Sequence, residues 1–545
     1  MKILSKNILF VFLLVLLVTV IIYWPLYFTF YQQDEWQGVG YMLVLGFKGY
    51  TTSGFSPIQV FFGQSRIFTA ILNYILFQMF PYNISLLATY AILVHTVNAT
   101  LVYVLSFRLF KKVSIAVITA LFFCLNAVGN QAIIWFGTSV ATLTAATFIL
   151  ISLLFLLKYI EKQKNTFLWY SYIALLISIY FKESGLGFIP FYTLILFLTN
   201  KNKIRMKFVL KATLPIIFFL SFVIFRFVST IFSYKAVGYI SSSSHLTNSI
   251  PVNFIRAVFT IFGQILIPQN VALIMGDKII PHLIPTLTGK ELQIQTLGID
   301  ILMIIITCAI LIVLFFLNRK QKTFRKFILL ILLVIATILP YVLVAPGWSY
   351  FESRYYYVPV IGVSLLIGNF FLAIWKNKKL SVSFLVLLII LLGTHVLKTY
   401  TDLFAQKQLA QQRLSVLHSI KQTVPVLNKK TVFYITSNQT YTVPNNPLPM
   451  QQGIGYTLQV WLYNKNNEKL KPQLLLPYTF LWDLGSQGYK QIGDQGFGYF
   501  YDLNDMKKTI RKYKIEQKNV YAFYWDGNTN HLSNITKKIR EALSQ

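Results

Sequence analysis

The sequence predicts an all-α polytopic membrane protein of about eleven transmembrane helices, followed by a small extracytoplasmic α/β or α+β domain. Three observations lead there. Of 545 residues, 56% are hydrophobic and 12% charged, against about 25% charged in an ordinary soluble domain. Apolar stretches of about 17 to 25 residues recur, the length that crosses about 30 Å of hydrocarbon as a helix. From residue 399 onward the composition turns polar.

The apolar stretches cover residues 8–30, 84–107, 113–129, 139–157, 166–181, 185–199, 212–232, 298–317, 327–345, 358–375 and 380–398. The first follows Lys2 and Lys6 as a signal peptide would, but it is long, ends in Trp24, Pro25 and Tyr27, and precedes no small-residue cleavage site, so it reads as a retained span. The net charge of +32 does not point to nucleic acid, because the basic residues sit in short clusters between spans and not along one soluble face. The two cysteines, Cys124 and Cys308, fall inside predicted spans and support neither a disulfide framework nor a cysteine metal site.

Those basic clusters orient the chain. With the N-terminus inside, alternate loops carry Arg108/Lys111/Lys112, Lys158/Lys162/Lys164, Lys201 to Lys211, Arg319 to Lys326 and Lys376/Lys378/Lys379. The intervening loops hold Lys48, Arg66, Lys182, Lys235, Arg256, Lys278, Lys290 and Arg354, spread over far more residues. The positive-inside rule then sets the N-terminus in the cytoplasm and, with an odd span count, the C-terminal segment outside. The Lys/Ile/Asn-rich composition suggests a bacterial plasma (inner) membrane.

Carboxylates are scarce before residue 399. They are Asp34, Glu35, Glu161, Glu183, Asp277, Glu291, Asp300 and Glu352, and all but Glu161 fall on the predicted outer side. Acids near hydrocarbon are expensive and mark functional sites. Asp277, Glu291 and Asp300 read equally well as solvated loop charges. Asp34/Glu35, Glu183 and Glu352 each end a span beside basic or aromatic neighbours.

The domains are read as 1–398, with outer loops 31–83 and 233–297, and 399–545. The first loop contains Gly- and Ser-rich turns at 46–56 and an amphipathic stretch from Val60 to Phe80, with Gln64, Arg66 and Asn73 on its polar side. The second contains an apolar run from Val258 to Ile274 broken by Pro268, which suits a re-entrant or interfacial segment. The C-terminal segment opens on a helical pattern (Leu409, Leu414, Leu417, Ile420), offers strands at Thr431 to Thr436 and Val520 to Trp525, and closes on a charged helix over 531–544. Its basic excess suits a solvated domain near anionic headgroups.

Chemistry gathers at a few motifs. Asp34-Glu35-Trp36 follows the first span, and adjacent carboxylates suit general-base work, one taking a proton while the other organises an acceptor or a cation. Arg66 lies in the loop stretch, and His95 and Asn98 punctuate the second span. AIIWFGTS (132–139), YFKESGLGFIP (180–190) and YFESRYYYVP (350–359) follow. In this order the motifs resemble the superfamily C (GT-C) glycosyltransferases, most closely the protein O-mannosyltransferase-like branch. The resemblance spans about residues 1 to 375. One departure is Arg66-Ile67-Phe68, where that branch has Arg-Pro-Leu; another is the absence of a tetratricopeptide pattern in the C-terminal region.

The resemblance implies an inverting glycosyltransferase, hexosyl- or mannosyltransferase-like, that takes a sugar from a polyprenyl-phosphate donor to an extracytoplasmic acceptor: protein, glycolipid or envelope polymer. Asp34 becomes the base, and Glu35 positions the acceptor or, with Asp34, holds a divalent cation (Mg or Mn). No wider oxygen-ligand set demands one. Arg354 is the first choice for the donor phosphate, which a guanidinium matches bidentately, with Lys182 and Arg66 next. Glu183, Glu352, Tyr356, Trp135 and His95 are supporting candidates. Each has a plainer reading: Arg354 could snorkel or pair with Glu352 or Glu183, Lys182-Glu183 could be a structural pair, Tyr356 and Trp135 belong to the interfacial aromatic belt, and His95 suits an interhelical hydrogen bond.

Two competing functions remain at this stage. A cell-envelope polysaccharide polymerase or ligase would show arginines in large outer loops without the early carboxylate pair. A lipid-linked sugar flippase or transporter would show related halves and charged or broken helices at the midplane; the acids here lie at span ends and no repeat is evident.

Overall fold

The computed structural model describes residues 2–32, 34–52, 66–199, 213, 214, 216, 217, 221, 250–275, 291–319, 324–342, 350–441, 443–451, 453–463, 474 and 480–544. Among them, seven helices are long and apolar enough to cross a membrane: Ile8–Phe28, Ile84–Phe110, Phe136–Lys162, Gly298–Asn318, Phe324–Tyr341, Tyr357–Ile374 and Lys378–Thr423. Three predicted spans return as shorter apolar helices, Val113–Leu125, Asn165–Phe181 and Glu183–Leu198. The predicted 212–232 span lies mostly outside the described residues. The run around Pro268 is a bent pair, Pro251–Leu266 and Gln269–Met275, turning through 99°.

The chain divides into two compact units. One comprises Met1–Trp24, Phe55–Ala70 and Ala88–Asp402, the other Pro25–Gly54, Ile71–Leu87 and Leu403–Gln545.

In the first unit, small and hydroxyl residues let helices approach, which replaces the hydrophobic drive that lipid cannot supply. Ser152 and Ser171 exchange hydroxyl-to-carbonyl bonds of 2.5 and 2.7 Å between Phe136–Lys162 and Asn165–Phe181. Gly263 on Ile250–Leu266 meets the backbone of Met303 on Glu291–Asn318 and donates its N–H to Thr307 Oγ1 at 3.0 Å.

In the second unit, five strands form one sheet: β1 (Lys430–Ser437), β2 (Gly488–Ile492), β3 (Gln495–Phe500), β4 (Val520–Asp526) and β5 (His531–Asn534), in the order β2-β3-β1-β4-β5. β1 runs parallel to β3 and β4, with Val432 opposite Gly498 and Val520, and the outer strands pair antiparallel. A parallel neighbour demands a crossover; helix Leu503–Tyr513 supplies the one from β3 to β4. Val432, Phe500, Met506, Val520, Ala522 and Ile539 make the core on one face. The expected helix over 531–544 starts later, at Thr536, because 531–534 pair with β4 and the Asn534 side chain then accepts the Thr536 N–H at 3.0 Å.

Two further elements differ from the sequence reading. The first outer loop opens directly into a helix, Asp34–Thr52, kinked at Gly46 (φ 63°). The last span and the helical pattern after 409 are one helix, Lys378–Thr423, of 46 residues. At 1.5 Å per residue it is about 69 Å long, more than twice a hydrocarbon core of about 30 Å. No Gly or Pro lies between Gly393 and Pro425 to break it. The predicted amphipathic stretch is an α-helix over Ile67–Asn73 that loosens into a π-helix, Tyr74–Met79; its first residues, with Gln64, lie outside the described residues.

Candidate active site

In the first unit, helix Asn165–Phe181 stops at Lys182, whose extended backbone leads into a tight 3-10 turn, Glu183–Gly187. The turn packs closely because Gly187 sits against the backbone of Ala336. Thr69 Oγ1 donates to the Phe181 carbonyl at 2.7 Å and pins the loop helix to the same helix end. Arg66 is thereby brought to Glu183, and its Nε and Nη2 donate to the carboxylate at 2.9 to 3.1 Å.

The motif at 350–359 is held by the short Trp-containing loop. Ser353 Oγ donates to the Val128 carbonyl at 2.7 Å, and the Arg354 N–H donates to Gln131 Oε1 at 3.2 Å. The Arg354 guanidinium then lies 4.7 Å over the Trp135 ring and 5.1 Å over Tyr355, and pairs with Glu352 at 2.5 Å. Lys182, 5% exposed, donates from Nζ to Thr142 Oγ1 at 2.7 Å and stands 5.5 Å over Tyr355.

Arg66, Lys182, Arg354, Glu183 and Glu352 therefore share one electrostatic neighbourhood. Burial, and after it the positive charge of Arg66, pull the Lys182 ammonium down to about 7; Glu183 and Glu352 oppose the fall. Glu183 strengthens the charge on Arg66. Three cations, one of them titrating near neutrality, face two carboxylates, and an anionic group that entered would find a net positive, partly dry surface.

Other expected residues are placed elsewhere in the same unit. His95 is buried between helices, Nδ1 2.8 Å from Tyr357 Oη and Nε2 3.1 Å from the Cys124 carbonyl. Asn98 joins the same network, donating to Tyr357 Oη at 3.1 Å and to the Leu143 carbonyl at 2.9 Å. Tyr356 is fully buried; its hydroxyl accepts the Phe351 N–H and donates to Gln264 Oε1 at 2.8 Å. Asp300 pairs with Arg256 at 2.7 Å. Asp277 lies outside the described residues, as do the side chains of Glu291 and Asp34.

In the second unit, Asp34 and Glu35 begin helix Asp34–Thr52, where carboxylates suit the positive end of the helix dipole. Glu35, 3% exposed, reaches back so that its Oε2 accepts the Gln32 N–H at 3.3 Å, the carboxylate half of a capping box. Aromatic rings gather around its neighbour Trp36. Trp36 stands 5.5 Å from Tyr31, 6.0 Å from Tyr82 and 6.2 Å from Trp461, and Tyr82 and Trp461 meet edge to face at 4.7 Å. Gly40, one further turn along, has no side chain, and in that gap sit Tyr456 and Val460 of helix Ile454–Leu462.

Thr142, Tyr341, whose ring lies 5.1 Å from Tyr355, and Trp461 are not site residues in the sequence reading; an isolated threonine in a span, or a tyrosine or tryptophan in an apolar run, carries no signal of its own. Arg413 did carry one. It interrupts the apolar face Ala410, Leu417, Ile420 with a cation, and in the structure it is 2% exposed. Among the described residues no three of His, Cys, Asp and Glu gather as ligands for a metal ion.

No family model and no curated protein matches the chain. Solved structures do align with it. The oligosaccharyltransferase of Archaeoglobus fulgidus in its apo form does so at 15% identity and TM-score 0.40, over 76% of this chain and 58% of that one. AglB from Archaeoglobus fulgidus, solved with an inhibitory peptide and a dolichol-phosphate, aligns at 12% and 0.44, over 84% and 63%. ArnT from Cupriavidus metallidurans, bound to undecaprenyl phosphate, aligns at 12% and 0.44, over 88% and 92%. The chain spans about three fifths of the archaeal chains' length. None of these neighbours singles out the O-mannosyltransferase-like branch.

Proposed function

We propose that this chain is an inverting membrane glycosyltransferase of the superfamily C type, moving a sugar from a polyprenyl-phosphate-linked donor to a hydroxyl or similar nucleophile on an extracytoplasmic acceptor. What supports the reading is the meeting of Arg66, Lys182 and Arg354 around Tyr355, with Glu183 and Glu352 in attendance. These residues come from three distant stretches of sequence that share the predicted outer side. A phosphate linked to a lipid tail is an anion presented at headgroup depth, and such a cluster is the complement it needs.

In this reading the acceptor oxygen forms a bond to the anomeric carbon as the bond from that carbon to the phosphate oxygen breaks. The electron pair leaves with the polyprenyl phosphate, and the acceptor proton passes to the Asp34 carboxylate. Negative charge grows on the leaving phosphate while the sugar takes on oxocarbenium character, so Arg354, Lys182 and Arg66 act where the charge develops. Glu35 holds the acceptor side. Residues 1–398 carry the donor chemistry, and 399–545 form an extracytoplasmic domain of a plasma-membrane protein.

The test is transfer itself. Purified protein in nanodiscs is given radiolabelled polyprenyl-phosphate sugars with cell-envelope extract, and wild type is compared with Asp34→Asn. Transfer or donor hydrolysis lost in a folded Asp34→Asn protein supports the reading; equal activity in the two sinks it.

A further inference from the structure

Where helix Ile250–Leu266 breaks, Pro268 has no N–H to offer and the chain turns through 99°, so the last carbonyls lose their helical partners. Side chains from three other elements take them up. Asn126 Nδ2 donates to the Ile265 carbonyl at 2.9 Å, His395 Nε2 to the Leu266 carbonyl at 3.1 Å and the Tyr350 hydroxyl to the Ile267 carbonyl at 2.8 Å. Buried carbonyls need such partners, and that need alone accounts for Asn126 and Tyr350. It does not account for the other side of His395. The ring is fully buried, and its Nδ1 accepts the Ala127 N–H at 3.2 Å. A peptide N–H only donates and a carbonyl only accepts, so the imidazole is held neutral with its proton on Nε2. Two turns on, along the same face of helix Lys378–Thr423, Asp402 pairs with Lys398 and accepts from Asn130 Nδ2 at 2.9 Å.

The loop gripped in this way, Asn126–Gln131, is the seat of the motif at 350–359. Ser353 Oγ donates to the Val128 carbonyl at 2.7 Å, with Asn130 Oδ1 3.1 Å away, and accepts the Gln131 N–H at 3.2 Å. Gln131 Oε1 takes the Arg354 N–H. Gly129 lies against the Tyr357 backbone, where a Cβ would come within 2.9 Å of Cα. The short helix Gln131–Ile134 then delivers Trp135, on whose ring the Arg354 guanidinium rests.

We propose that His395 and Asp402 are positioning residues for Arg354: they fix the loop Asn126–Gln131 near both of its ends, and the loop fixes where the guanidinium sits on Trp135. Without His395 the Ala127 N–H and the Leu266 carbonyl both lose a partner in a buried place. The loop then gives way, and Arg354 follows Glu352 off the tryptophan ring. Bidentate contact with a phosphate tolerates little displacement of that kind. The catalytic part of this inference rests on Arg354 as the donor-phosphate contact; the seating of Arg354 does not.

The experiment reads Arg354 in two ways. Purified wild type, His395→Phe and Asp402→Leu are treated with phenylglyoxal, an arginine-selective dicarbonyl, and modification is followed peptide by peptide by mass spectrometry. Arg354 is modified several-fold faster in both variants, while Arg540 of the second unit reacts as in wild type. The second readout is transfer from a radiolabelled polyprenyl-phosphate sugar. His395→Phe lowers kcat/KM for the donor by about tenfold, and His395→Gln, which presents both a donor and an acceptor, recovers part of the loss. In an Arg354→Ala background His395→Phe removes nothing further from the residual activity, because the group it places is already gone. Unchanged modification of Arg354 overturns the proposal whatever the activities are. Equal losses in the two backgrounds, or faster modification with unchanged kcat/KM, overturn the role in catalysis. If wild type consumes no donor while modification of Arg354 is faster in the variants, the seating stands and the glycosyltransferase reading is what has failed. Should His395→Phe not fold, His395→Gln and Asp402→Leu, each of which spares one of the two grips, decide in its place.

Discussion

Arg66 grips Glu183 across 117 positions of sequence, Nε donating to both carboxylate oxygens and Nη2 to one, at 2.9 to 3.1 Å. The pair is partly exposed, so its direct contribution to stability is small. Its effect is on the neighbour. Glu183 props up the proton affinity of Lys182, while Arg66 lowers it.

The first prediction follows from that balance. With the Lys182 ammonium titrating near 7, donor use that needs its charge falls as pH rises through about 7. Glu183→Gln removes a group that favours the charged form, so the falling limb moves to lower pH. Lys182→Met removes the limb and weakens donor binding. Initial-rate pH profiles of the three proteins check this. The same shift has a sign for folding: between about 7 and the ordinary lysine range near 10.4 the unfolded chain holds a proton that the folded one has released, so stability rises with pH across that window and is flat in Lys182→Met.

Arg354 offers a test of shape against charge. Lysine in its place keeps the charge but loses the planar stack on Trp135 and Tyr355 and the bidentate fork. Arg354→Lys is expected to cost about tenfold or more in kcat/KM for the donor, and Arg354→Ala more. Trp135→Leu removes a cation–π contact worth about 1 kcal/mol, close to a fivefold loss. Steady-state kinetics with varied donor reads all three.

The network under Tyr357 predicts the opposite pattern. Tyr357→Phe deprives His95 and Asn98 of a shared hydroxyl, a loss of about 1 kcal/mol of stability for a buried interhelical bond. Transfer at low temperature is expected to stay near wild type. A rate loss without a melting shift would return His95 to the active site.

Gly40 tests how the first loop meets the helix Ile454–Leu462. A Cβ there collides with the Tyr456 hydroxyl and presses on Val460, so Gly40→Val costs about 1 to 3 kcal/mol by overpacking. Gly40→Val combined with Tyr456→Phe and Val460→Ala recovers part of it. Denaturant or thermal unfolding measures both.

Much of this was legible beforehand, for identifiable reasons. Strands β1 and β4 announce themselves as runs of Val, Ile, Phe, Tyr and Trp. β2 and β3 did not, because Gly488, Gly493, Gly496 and Gly498 hide a hairpin in a sequence that reads as loop. The helix from Asp34 was missed because four glycines and two threonines argue against it locally; packing of Trp36 and Gly40 on the helix Ile454–Leu462 overrides the propensity. Lys182 and Arg354 stand at the outer ends of predicted spans, and Arg66 in the amphipathic stretch of the first outer loop. That they share one neighbourhood was not readable, since it depends on which spans lie side by side.

The second unit also sets a clock. Val432 pairs with Val520, and Pro25–Gly54 belongs to the same unit as Leu403–Gln545, so the loop made first during synthesis is completed by residues made last. At 5 to 20 residues per second the interval is on the order of 25 to 100 s. Through that time Phe30, Trp36 and Tyr82 are without Trp461. A nascent chain therefore carries its carboxylate pair for most of synthesis before that pair acquires its finished surroundings, and premature release leaves an aromatic loop bare for chaperones and proteases to find.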